Sequence, residues 1–210
     1  MSTLRLILFP ALVTLAVTLI RLTGELMGWP EPLFSRAAGG GGALVGIAWL
    51  VPVFGFYFAW KLAPRVPAAR PGRTLIHPLV AAFIALAIGL ALVSLMGEES
   101  LVGLVLFAAV SLLVLPIARR GWPELFQTLL GYALAARLPV TVIMLLAMAG
   151  GWGTHYDALP DSFPAMSWFQ AWLLAGLLVQ LTFWVSFTVV LGMVAGSLAL
   201  AWSKRRRLAV

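Results

Sequence analysis

Six stretches of this chain are apolar enough and long enough to cross a lipid bilayer, over residues 4–27, 43–62, 78–96, 101–118, 123–150 and 167–202. A helix rising about 1.5 Å per residue needs roughly 20 such residues to cross a hydrocarbon core of about 30 Å. In lipid, a lone segment can satisfy its own backbone polar groups only as a helix, so runs of this length dictate helices. Composition agrees: 62% of residues are hydrophobic and 10% charged, against about 25% charged in soluble domains. The expected fold is therefore all-α, a polytopic membrane helical bundle of six transmembrane helices. The bundle takes up residues 1–210 as one domain. The chain has no cysteine, which removes disulfides, iron–sulfur clusters, thiolate metal sites and cysteine nucleophiles.

Charge sets the expected threading. All lysines and arginines except Arg21, Arg36 and Arg137 fall on the side that holds both chain ends. By the positive-inside rule that side is cytoplasmic, which places the N- and C-termini there. Tryptophans suit the membrane–water interface. Trp29, Trp152, Trp168 and Trp172 fall at the outer level of this threading, and Trp60, Trp122 and Trp202 at the inner. The net charge of +7 lies at span ends and orients the protein, so no nucleic acid partner is expected. The partner is the lipid bilayer, and the pattern fits a bacterial inner membrane.

The fifth run, GWPELFQTLLGYALAARLPVTVIMLLAMAGG, carries a full charge near its middle, Arg137. Burying that cation costs at least about 2.5 kcal/mol on insertion scales, so it needs a counter-contact. Pro139, two residues on, removes a backbone donor and predicts a kink that frees the carbonyl of Ala135. Thr141 lies one turn further along the same face. Arg137, Ala135 and Thr141 thus form the candidate ligand-binding group, suited to an anionic or amphipathic molecule.

Other features carry less. Arg21 and Glu25 stand four apart near the end of the first run and predict a structural ion pair. Residues 28–42 break the helix with Pro30, Pro32 and a run of glycines, and read as a linker. The outer loop offers His155, Asp157 and Asp161, which could gather as acid and base. A loop rich in Gly, Asp, Ser and Pro is also where polar residues ordinarily go, so no metal site and no catalytic residue is assigned. Histidines in connections on opposite sides of the membrane do not suit haem, and no cofactor is expected. Gly192 and Gly196 form a GxxxG pair for close helix packing, within the bundle or in a homo-oligomer. The tetrapeptide GWPE occurs at Gly28 and again at Gly121, as an inverted repeat of two three-span halves would place it.

The function expected is binding or transport of an anionic or amphipathic, lipid-like small molecule at a mid-membrane site around Arg137. An accessory subunit whose arginine pairs with a partner chain is the alternative. A membrane enzyme working through His155, Asp157 and Asp161 is the second.

Overall fold

The computed structural model describes residues 3–65, 71–161 and 163–208, leaving Arg70 outside, and all regular structure within them is helical. Five helices among the described residues are long and apolar enough to cross a membrane: Thr3–Leu26, Gly72–Met96, Leu101–Arg119, Pro123–Gly150 and Trp168–Trp202.

Helix α1 (Thr3–Leu26) keeps Pro10 in its interior. The Thr14 hydroxyl donates to the Pro10 carbonyl at 2.9 Å, and Thr18 repeats the pattern on Thr14. Such back-bonding lets a polar side chain sit inside an apolar helix. The expectation of a full helix over 43–62 needs correction. Helix α2 is Leu50–Leu62 only, roughly 20 Å long. Residues 43–49 run as irregular backbone because Gly39, Gly40 and Gly42 adopt positive φ, and because Leu44 and Val45 donate to the carbonyls of Pro32 and Leu33 instead of to their own turn. The intervening segment is thus no loose linker. Phe34 is buried, and its ring packs where a Cβ on Gly24 would stand.

Helix α3 (Pro71–Met96) begins several residues before the expected start at Pro78 and carries that proline inside. Helix α4 (Leu101–Leu113) starts at Ser100, whose Oγ accepts from the Gly103 N–H at 3.1 Å. A break at Val114, just before Pro116, leads to the short α5 (Leu115–Arg119). Helix α6 (Pro123–Gly150) opens on proline and closes on Gly151 in the left-handed region. Helix α7 (Trp168–Ala171) is fixed by a reciprocal cap between Ser167 and Gln170. Two π-helical stretches come next, Trp172–Leu178 and Gln180–Trp184, before α8 (Val185–Leu208).

Helix α6 is the central post, packed against α1, α2 and α8. Its buried residues recur every three or four positions, from Leu125 through Leu129, Tyr132, Ala136 and Val140 to Ala147. The Tyr132 ring meets Phe54 and Phe58 edge-on at 5.4 and 5.5 Å between centroids, and its hydroxyl meets Thr14 Oγ1 at 2.8 Å. The GxxxG pair works within the bundle: a Cβ on Gly196 would stand 2.9 Å from the Gly55 carbonyl oxygen of α2. Small residues permit that backbone approach. Trp122 is 1% exposed and so is a core residue, not an interfacial anchor. The other GWPE tryptophan, Trp29, is exposed and followed by irregular backbone, whereas Trp122 leads straight into α6, so the two copies differ in local structure.

Candidate ligand-binding cavity

A cavity of about 580 Å³ opens at the end of the bundle where α1 and α6 finish. Its walls come from α1 (Thr18, Arg21), the irregular 39–49 segment, α6 (Arg137, Val140, Met144), the 155–163 loop and the π-helical stretch (Gln180, Trp184). Non-helical backbone at membrane depth is tolerated where it lines a cavity or is buried in protein. The segment 43–49 lines this cavity. The N–H groups of Ile47, Ala48 and Trp49, at the start of α2, meet no protein acceptor among the described residues. A helix beginning there presents partial positive charge.

Arg137 is 4% exposed and forms no ion pair among the described residues. One terminal nitrogen reaches Gln180 Oε1 at 3.4 Å, a long bond, and the guanidinium lies 4.6 Å from the Trp184 ring centroid. Its Nε has no hydrogen-bond partner among the described residues. Gln180 and Trp184 therefore orient the cation without neutralising it. Thr141 and Ala135, grouped with Arg137 from sequence, do not line this cavity. The Thr141 hydroxyl is taken up by the carbonyl of Arg137 at 3.0 Å, and its own carbonyl accepts from the Trp172 indole at 3.0 Å. Pro139 sits within a continuous α6, and no hydrogen bond joins Arg137 to the Ala135 carbonyl among the described residues.

A second charged group stands at the mouth. Glu25 is fully buried and accepts from Arg21 Nε at 2.8 Å, from the His155 backbone N–H at 2.8 Å and from His155 Nδ1 at 2.5 Å. Arg21 also donates to the carbonyls of Ser35 at 3.0 Å and Gly40 at 3.1 Å, and Arg36 donates to the backbone carbonyl of Glu25. One carboxylate thus ties together α1, the 35–40 segment and the 155 loop. Burial pushes the His155 imidazole below its usual pKa, against the pull of Glu25 in the other direction. Burial also raises the Tyr156 phenol; its hydroxyl donates to the Thr18 carbonyl at 3.2 Å.

The other outer-loop candidates go elsewhere. Asp157 caps its own turn, accepting from the N–H groups of Gly153 and Thr154 and from the Thr154 hydroxyl. Asp161 is exposed. No group of three or more His, Asp or Glu residues that could hold a metal occurs among the described residues. Sequence reading missed Gln180, Trp184 and Tyr156 as cavity residues and treated Arg21 with Glu25 as a plain helix pair. Gln180 did carry a signal, as an amide near the middle of an apolar run. The chain matches no protein-family model, no curated protein and no solved structure.

Proposed function

We propose that this protein is an integral membrane protein that binds, and in moving it transports, an amphipathic molecule with an anionic head. The head lies against Arg137. The observation that carries this reading is a cation 4% exposed in a cavity of about 580 Å³, with an unpartnered Nε and no acid paired with it among the described residues. An Arg fork is suited to carboxylate or phosphate, which it grips with two parallel bonds. The free N–H groups ahead of α2 favour the same sign of charge.

In this reading the chain crosses the membrane six times, the second crossing being completed by the irregular 43–49 wall. Both termini face the cytoplasm, the cavity opens to the outside, and the membrane is a bacterial inner one. Charge placement along the sequence supports that orientation. A partner subunit supplying an acid to Arg137 is the competing reading.

The test is thermal unfolding of the purified protein with decyl phosphate, decanoate, a neutral decyl glycoside or decyltrimethylammonium. Saturation near a hundredfold of Kd adds about 2.7 kcal/mol of stability. Stabilisation by the anionic amphiphiles alone, abolished in Arg137→Leu and reduced in Arg137→Lys, is the expected result. Equal stabilisation by all four, or by none, refutes the proposal.

A further inference from the structure

A second, larger cavity of about 720 Å³ runs between α3, α4 and the last helix, and its lining is almost wholly apolar. It extends from Leu79 on α3 to Gly97, one residue past that helix's end, roughly 27 Å at 1.5 Å per residue, close to the thickness of a hydrocarbon core. It adjoins the Arg137 cavity. Leu104 and Phe163 line both, and consecutive residues of the π-helical stretch divide between them, with Phe183 in the apolar groove and Trp184 beside Arg137. π-Helical turns often mark functional sites. Glu98, Glu99 and Ser100 line its end at the α3–α4 turn, and the Ser111 hydroxyl donates to the Phe107 carbonyl; within the groove the buried Ser186 hydroxyl has no partner among the described residues.

We infer that the two cavities form one site for an anionic phospholipid, its phosphodiester at Arg137 and one acyl chain in the groove between α3 and α4. This rests on the reading of Arg137 as an anion site. Charge complementarity fixes one end and continuity at Leu104 and Phe163 fixes the path. The choice of a phospholipid over a free fatty acid has two grounds. The Arg137 cavity, at about 580 Å³, exceeds the space a carboxylate fills and has room for a phosphate with its glycerol. Ser186, three residues past Phe183, is a buried donor with no acceptor among the described residues, and an ester carbonyl is the acceptor such a lipid brings. A single unpaired cation matches the single charge of a phosphodiester.

The experiment is native mass spectrometry of the full chain titrated separately with dioleoyl phosphatidylglycerol, dioleoyl phosphatidylcholine, oleate and dihexanoyl phosphatidylglycerol. The parent is expected to bind one dioleoyl phosphatidylglycerol at least about tenfold more tightly than the choline lipid or oleate, a tenfold ratio being about 1.4 kcal/mol. Two groove variants isolate the chain site. Ala85→Phe fills the groove from α3, and Leu90→Trp does so from an exposed position outside the packed core. Both should weaken the long-chain lipid by about tenfold or more and leave dihexanoyl phosphatidylglycerol within about twofold. Arg137→Leu should lose both phosphatidylglycerols. Long-chain binding unchanged in Leu90→Trp overturns the chain placement, while loss of the short-chain lipid in Arg137→Leu would leave the anion site standing. Short-chain binding that survives Arg137→Leu removes the anion site itself. Oleate bound as tightly as dioleoyl phosphatidylglycerol overturns the phospholipid assignment.

Discussion

Replacing Glu25 by glutamine keeps the shape of the side chain, removes its charge and leaves its donors short of an acceptor. In the parent, Oε1 faces two donors, Arg21 Nε and His155 Nδ1, and Oε2 faces the His155 backbone N–H. Glutamine has one oxygen to offer. Whichever way its amide is turned, an NH₂ group confronts an N–H, and the buried Arg21 cation is left with neutral oxygens alone, the Ser35 and Gly40 carbonyls among them. Removing one partner of a buried ion pair costs about 3–5 kcal/mol, more than either hydrogen bond alone, because the surviving charge is stranded. The cost falls where the carboxylate acts, at the joint between α1, the 35–40 segment and the 155 loop. At about 1.4 kcal/mol per tenfold, local opening there should become about 10² to 4 × 10³ times more frequent. Hydrogen exchange reads this directly at the His155 amide, whose N–H is the donor to Oε2. Core amides of α6 around Leu129 and Tyr132, remote from the joint, should keep their protection. Protection of the His155 amide within tenfold of the parent, or an equal loss throughout α6, would refute the argument.

Acidification should weaken the same joint. His155 faces the carboxylates of Glu25 and Asp157 and the Arg21 guanidinium, and burial holds its folded pKa below the ordinary value near 6.5. The undocked loop therefore binds more protons between those two values, and stability rises with pH across that window. The protection factor of the His155 amide, its exchange rate corrected for the base-catalysed intrinsic rate at each pH, should fall between pH 7.5 and 5, and a rise would reverse the sign. At the glycine contact, Gly196→Ala meets a backbone carbonyl of α2 at 2.9 Å, whereas Gly192→Ala meets only the end of the Leu129 side chain. Overpacking of about 1–3 kcal/mol is expected at Gly196, while the helix-propensity gain of about 1 kcal/mol offsets much of the strain at Gly192. Melting temperatures in detergent should fall further for Gly196→Ala, and the opposite order would refute the contact. The chain's lack of native cysteine makes single-cysteine labelling clean. Glu99→Cys and Pro164→Cys should react from outside intact cells and Arg65→Cys should not, while the reverse pattern inverts the threading.

The bilayer makes long helices legible because it demands a length of apolar sequence and little else. That rule reads α1, α3, α4, α6 and the last helix correctly and misreads residues 43–49. ALVGIAW is as apolar as a lipid-facing turn, but hydropathy does not distinguish backbone facing lipid from backbone facing a cavity. The deciding contacts are tertiary: the glycines at positive φ ahead of it and the carbonyls of Pro32 and Leu33 that take its first N–H groups. The same limit governs the site. Arg137 announces itself, since a cation at mid-run is expensive wherever the chain places it. Thr141 shares its face and still drops out, because a helical threonine can donate to its own i−4 carbonyl, and here it does. Glu25 appears in the sequence beside one partner and needs a second from 130 residues away. No local pattern announces that contact. A buried carboxylate with two cationic or polar donors is a joint that only the fold can close, so its residues read as ordinary until α1 and the 155 loop meet. By contrast, Gln180 was legible on physical grounds, as an amide within an apolar run. Its carbonyl oxygen turns toward the one buried cation of α6. An amide orients that cation without cancelling its charge, so in the proposed reading Arg137 stays available to an anion where a carboxylate at the same position would have sealed it.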